Sequence, residues 1–510
     1  MKAVMVDGES LSLEAVEQVA AGGSPVSLSP EAKPRILASR RVVEEALTKK
    51  AKVYGVTTGL GHLSEITIDA AQSAQLQNNM VRSHSAGVGE EFPAEVCRAM
   101  MLLRANTLAK GYSGVRLLIV ESLLALLNAG VLPVIPQQGS VGASGDLVPL
   151  AHMALLLTGQ GQARRGGKLV AAAGALAAEG LKPIELGPKE ALALVNGTQA
   201  MAAVGTLTLL QAERLARVAD VAAAVSLEAL RGTAAAFDQR IHRVRPVPGQ
   251  ERVAENMRRL LAGSAISAPE KAERTQDAYS LRCIPQVHGA VREALGFVRR
   301  LLEIEVNSAT DNPLIFPEDG AVLSGGNFHG EPVALSMDFL ALALTELANI
   351  SDRRTARLVD DKLSGLPSSL SEHAAVGCSF GILQIVTASL ASENRALAHP
   401  ASADNIPTAG NQEDHVSMGP IAARKARDIA RNLEAVLAIE LLCSAQGLDF
   451  VGPQRSGQGV QAAHRVLRLV VPFLKEDRSR IFHDDIAAVA GLLRDGRLLA
   501  GVEQAVGKLS

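Results

Sequence analysis

The chain has 510 residues, 47% of them hydrophobic and 20% charged, a composition that excludes a disordered chain and allows several domains with large cores. Lysine plus arginine (51) nearly balances aspartate plus glutamate (53), and the net charge of −2 excludes a nucleic-acid binder that works through a basic field. Four cysteines (Cys97, Cys283, Cys378 and Cys443) form no CxxC pair, so neither a zinc ribbon nor a redox dithiol is offered, and this sparse usage suits a reducing cytoplasm.

From the first residues onward, MKAVMVDGESLSLEAVEQ carries Asp7, Glu9 and Glu14 where a signal peptide needs an apolar run. The richest apolar stretch, Val115 to Ile135, is broken by Arg116, Glu121 and Asn128, so no membrane span is expected. Up to about residue 195 short segments alternate with glycine-rich turns. Val53 to Gly61 (VYGVTTGLG) is such a loop, and its Tyr54, one of only three tyrosines, is a candidate acid or base. Asn78 to Gly89 gathers Asn78, Asn79, Arg82, Ser83 and His84, a set that suits a polar pocket. Leu169 to Glu185, after Gly166-Gly167, reads as a small hairpin or an irregular excursion.

Between two apolar helical patterns lies Gly139-Ser-Val-Gly-Ala-Ser-Gly-Asp146. It is not a P-loop, and Asp146 stands where a GxSxG elbow needs its second glycine. The tripeptide Ala143-Ser144-Gly145 offers another chemistry. Without a Cβ, the Gly145 nitrogen can approach the Ala143 carbonyl carbon and close a five-membered ring. Loss of water from the ring and from Ser144 then leaves 4-methylidene-imidazol-5-one (MIO), an electrophile. A plainer reading is a turn that starts a helix, capped by Asp146. Val195 to Ala200 places Asn196 at the entry of a long apolar helix, as a cap or a ligand group.

The remainder reads as long helices: Thr206 to Arg231 with Gly232 as its stop, Val287 to Val306, Val333 to Asp361, Phe380 to Ala398, Ile421 to Gln446 and Val460 to Val471. The fold class is mainly α, with residues 1–195 as a mixed N-terminal domain and 196–510 as a long helical bundle across a soft boundary. Between these helices, Gln276, Tyr279 and Arg282 have the spacing of one helical face, and an arginine is the natural partner of a carboxylate. Asn307 to Leu314 and Ser324 to Glu331 are polar loops, the second with Phe328 placed to wall an aromatic substrate. Asn411 to Gly419 sets Glu413, Asp414 and His415 side by side. Adjacent residues rarely ligate one ion, no HxxxH or HExxH spacing occurs, and no metal site is expected.

Taken together and in this order, the segments resemble those of the aromatic amino-acid ammonia-lyases, most closely the histidine-acting branch. Ser83-His84 and Asn411-Gln-Glu413-Asp-His resemble that branch rather than its phenylalanine- or tyrosine-acting relatives. The resemblance implies MIO built from Ala143, Ser144 and Gly145, with no external cofactor. It implies conversion of L-histidine to trans-urocanate and ammonia, the first step of histidine degradation, in a cytoplasmic homotetramer whose pockets draw on more than one chain. It further implies that Arg282 and Asn196 hold the substrate carboxylate and that His84 and Glu413 hold the imidazole. Tyr279 and Gln276 would position substrate or MIO, and Phe328 would pack on the ring. Tyr54 is the first candidate for removing the β-proton and Glu413 the second. Whether the methylidene meets the amine or the ring stays open. The alternatives are a tyrosine ammonia-lyase or aromatic 2,3-aminomutase with the same chemistry, or a non-catalytic scaffold. A fumarase-type lyase lacks support, because its GSSxMPxKxN loop is absent.

Overall fold

A computed structural model describes residues 3–59, 65–271, 274–377, 379–475 and 480–510. Leu60, Gly61 and Cys378 of the sequence reading lie outside the described residues. The protein is mainly α-helical, and the long helices run Gln199–Ala229, Ile284–Glu305, Glu331–Val359, Gly381–Leu397 and Gly419–Val451. Each overlaps a segment whose apolar spacing predicts it. Gln199–Ala229 ends differently from expectation. Arg231, not Gly232, takes the left-handed conformation (φ 52°). The Arg231 N–H donates to the Glu228 carbonyl and the Gly232 N–H to the Leu227 carbonyl, which is a Schellman ending with glycine one place later. Gly232 is needed for space, since a Cβ there would lie 2.7 Å from Leu227 Cδ1.

The chain divides into two compact units. The first comprises residues 1–210, 298–338 and 400–424. Its core helix Ala94–Ala109 is buried almost all round. Small sheets accompany these helices: Val88–Glu91 with Pro136–Gln138, and Val131–Pro133 with the hairpin of Gln162–Arg165 and Lys168–Ala171. The hairpin thus lies before Leu169 to Glu185, and Ala172–Ala178 is helical. The turn is set by Gly166 and Gly167, both at positive φ (56° and 78°), as a tight two-residue hairpin loop requires.

The second unit comprises residues 211–297, 339–399 and 425–510. It contains Pro248–Leu260, Gln458–Arg468, Phe482–Arg494 and Arg497–Val506 with parts of the long helices. Its interior holds a fully buried ion pair. Arg354 Nε and Nη2 donate to the two Glu440 oxygens (2.6 and 3.0 Å), which also accept from Ser226 and Ser351 (2.6 Å each). Among the described residues one helix, Glu331–Val359, is long and apolar enough to cross a membrane by length and composition, and 67% of its most apolar window is buried inside the protein.

Candidate active site

The site is assembled in the first unit around the start of Gln199–Ala229. Asp146 occupies the cap position of Leu147–Leu157, yet its side chain makes no bond to that helix. Instead Oδ2 accepts from the Ala200 and Met201 N–H groups, 2.9 Å each, and so caps Gln199–Ala229. The expected cap, Asn196, ends the preceding helix Glu190–Val195. Its buried Oδ1 has no hydrogen-bond partner. The long helix is therefore capped across the fold, which frees Asn196 for the cavity.

The same contact forces the shape of the glycine-rich turn. The Asp146 N–H donates to the Gly197 carbonyl at 2.6 Å. Gly145 is at φ 72°, and a Cβ there would lie 2.2 Å from that carbonyl oxygen. Gly142 is at φ 69°, with room for a Cβ denied by Ser417 Oγ at 2.3 Å. Two left-handed glycines thus bracket Ala143 and Ser144; a side chain is excluded at Gly145 by the Gly197 backbone and disfavoured at Gly142 by the positive φ and Ser417. Burial pushes the Asp146 carboxyl up to about 7 despite the two N–H donors, and nearby Glu305 pushes the same way.

Arg104 holds the Ala193–Gln199 segment against which this turn packs. Fully buried, it donates to the Asn196 carbonyl (3.0 Å), to Gln199 Oε1 (2.7 Å) and to the Ala193 carbonyl. Gln199 Nε2 in turn donates to Thr107 (3.0 Å) and Thr310 (2.7 Å). Burial lowers the Arg104 guanidinium to about 10. Sequence reasoning passed over this residue. The available signal was an arginine directly after the apolar run Ala99 to Leu103 of the helix Ala94–Ala109.

A cavity of about 700 Å³ opens beside the turn. Seven of the residues singled out from sequence line it: Tyr54, His84, Ala143, Ser144, Asn196, Phe328 and Glu413. Gly145 is not among the lining residues. Ser144 Oγ donates to Glu413 Oε1 at 2.8 Å. The second Glu413 oxygen accepts from Thr408 Oγ1 (2.6 Å), and backbone bonds between Thr408 and Glu413 fix the carboxylate in place. His84 ends the helix Ala70–His84, which opens on an Asp69/Gln72 capping box. Its Nδ1 lies 2.9 Å from the Met80 carbonyl. In the neutral ring that contact places the proton on Nδ1 and leaves Nε2 an acceptor. Around Tyr54, the Val53 N–H donates to Thr57 Oγ1 (2.9 Å) and Ser73 Oγ to the Val56 carbonyl (2.8 Å), so the loop is tied down on both sides of Gly55.

Gln276, Tyr279 and Arg282 belong to the second unit and do not line this cavity. The expected common helical face is not formed. The helix is only Tyr279–Arg282, and Ala278 before it is extended, so Gln276 lies outside it. Tyr279 is 71% exposed, and the Arg282 guanidinium carbon sits 4.6 Å from its ring centroid, a cation–π contact. The lining residues that sequence reasoning did not single out include Met80, Leu192, Asn312, His329 and Gln412. Asn312, His329 and Gln412 stand in polar loops that the sequence does mark and Met80 in the Asn78 to Gly89 stretch, whereas Leu192 sits in an apolar helix that no local pattern marks.

A serine on a glycine-bracketed turn, bonded to a clamped carboxylate and faced by a phenol and an imidazole, is equipped for elimination and proton transfer. Comparison with known proteins agrees. The chain is 52% identical to a histidine ammonia-lyase of Gloeobacter violaceus, over 99% of this chain and 98% of that one. It is 50% identical to that of Alkaliphilus oremlandii, over 99% of each. Among solved structures it superposes on the histidine ammonia-lyase of Trypanosoma cruzi with a TM-score of 0.92, at 43% identity, covering 99% of this chain and 96% of that one. It superposes on a tyrosine aminomutase of Streptomyces globisporus with a TM-score of 0.94 at 39% identity, covering both chains fully. With residues 11–469 matching the aromatic amino acid lyase family, the chain belongs to that family.

Proposed function

We propose that this protein is a histidine ammonia-lyase. It breaks the Cα–N bond and one Cβ–H bond of L-histidine, without oxidation, and releases trans-urocanate and ammonia. The observation that carries this reading is the bond from Ser144 Oγ to Glu413 Oε1 (2.8 Å) in a cavity that His84 also lines. One carboxylate thereby touches the reactive serine and remains available to an imidazole.

The turn fits MIO. Gly145 is held where no Cβ is possible, and Ala143 is buried in a short apolar cluster with Val416 and Met418. Once formed from Ala143, Ser144 and Gly145, the group supplies an electrophile that makes the non-acidic β-hydrogen removable, and no external cofactor is needed. Tyr54 lines the cavity, and its hydroxyl is our first candidate for the base that takes that hydrogen, with Glu413 as the second. His84 Nε2 accepts from one imidazole nitrogen and Glu413 holds the other. A phenyl ring would leave both unpaired, at a cost of about 1–3 kcal/mol each. Phe328 packs on the ring.

The substrate carboxylate needs a cation, and neither lysine nor arginine occurs among the lining residues. We assign that role to Arg282 of the partner subunit, with Asn196 of this chain alongside. Tyr279 and Gln276 of the partner subunit position the reactants. The working form is then a cytoplasmic homotetramer with shared sites. The likeness to an aminomutase supports a second reading, in which ammonia is returned to the β-carbon of an aromatic amino acid. Urocanate absorbance from L-histidine, with L-tyrosine in a parallel sample, tests both. Urocanate from histidine alone is expected. A β-amino acid or coumarate from tyrosine, with histidine inert, would overturn the substrate reading and keep the chemistry.

A further inference from the structure

We propose that His329, Glu331 and His415 form a binding site for a divalent cation of the zinc class at the edge of the cavity. Their ligand atoms all lie within 4.8 Å of one another. His329 and His415 line the cavity, and Glu331 begins the helix Glu331–Val359. Two imidazoles and a carboxylate are the donor set of open zinc sites, with a fourth position left for water or a ligand.

Three features point to a cation rather than to a chance cluster. The first is the rings' spacing. The His329 and His415 centroids are 5.5 Å apart and tilted by 43°, so the rings are not stacked. Two imidazoles on one tetrahedral zinc, with Zn–N of about 2.1 Å, place their centroids about 5 Å apart. The second is an outer-shell contact. His329 Nε2 faces the His415 carbonyl oxygen at 3.3 Å. A ring that donates Nε2–H there keeps the Nδ1 lone pair for a metal, and a backbone carbonyl commonly orients a ligating histidine in this way. Nδ1 meets only the Glu331 N–H, at 3.3 Å, a long contact that a cation readily displaces. The third is an unmet need, since Glu331 Oε2 is buried without a hydrogen-bond partner. Such an oxygen is costly to enclose unless a proton or a cation satisfies it. The helix start opposes a cation with about half a positive charge, and the full negative charge of Glu331 exceeds that.

Sequence reasoning set a metal aside because Glu413, Asp414 and His415 are adjacent. The fold pairs His415 instead with two residues more than eighty positions earlier.

The test uses the untagged, chelator-dialysed protein, titrated with Co²⁺ and followed by visible absorption and calorimetry. We expect one Co²⁺ per chain, with the absorption of a nitrogen–oxygen tetrahedral site, displaced by Zn²⁺. His415 is exposed, so His415→Ala keeps the fold, and it is expected to weaken Co²⁺ binding about tenfold or more. Glu331→Gln is expected to act in the same direction. Absence of saturable Co²⁺ binding, or equal affinity in wild type and both variants, would overturn the site.

Discussion

Two aspartates, Asp146 in the first unit and Asp220 in the second, are both fully buried and titrate in opposite directions. Asp146 meets backbone N–H groups and no cation, and burial lifts it to about 7. Burial acts on Asp220 in the same sense. There Arg292 (2.7 Å), His288 (2.8 Å) and Asn256 (2.9 Å) outweigh it and hold the carboxyl below its ordinary value. Equal burial therefore does not mean equal charge; the presence of a cationic partner decides. The contrast extends to the neighbourhoods. Around Asp146 lie polar groups left unpaired or half-exposed, such as Asn196 Oδ1 and Ser144, and these are the ones placed to meet a ligand. Around Asp220 and Glu440 the carboxylate oxygens are fully engaged, so these two networks serve as framework inside the second unit.

The largest test of this division is Ser144→Ala. Turnover should fall by about 10³-fold or more, with the near-UV absorbance of the cyclised tripeptide lost, while the unfolding free energy from urea denaturation changes by about 1 kcal/mol or less. Wild-type turnover in that variant would break the assignment of the first unit. Next in size is Glu440→Ala, which strands Arg354 in the interior. A stability loss of about 3–5 kcal/mol is expected in chemical denaturation, and a change in kcat with unaltered stability would erase the contrast. Glu413→Gln should lower kcat/KM for histidine about 100-fold, with stability within about 1 kcal/mol. The smallest effect sharpens the aspartate comparison itself. The raised folded-state value means that the Asp146 contribution is fully present below about 4 and lost as pH rises through about 7. Asp220, held low, contributes above its ordinary value and loses that contribution as pH falls. Asp146→Asn should therefore flatten the stability profile between pH 4 and about 7, measured as denaturation midpoints across that range. An unchanged slope would show that Asp146 is charged throughout.

The sequence by itself determined the helices and the backbone freedom of the glycine-rich turn. Apolar residues at helical spacing over 20 or more positions leave a segment little alternative to a buried helix, and the glycines of Gly-Ala-Ser-Gly permit the positive φ that the turn later takes. The residues lining the cavity from Tyr54 to Glu413 were legible because each sits in a polar, glycine-studded stretch that a helical core does not explain. The tertiary structure alone decided which groups meet. Asp146 caps a helix that begins 53 positions later, Arg104 pins a turn about 90 positions away, and Ser144 meets Glu413 across 269. Gln276, Tyr279 and Arg282 lost their common face because Ala278 is extended, a backbone choice that spacing does not encode. Local pattern fixes periodicity and backbone freedom. Pairing of charges across the chain depends on which surfaces burial brings together, and that is settled only when the whole core packs.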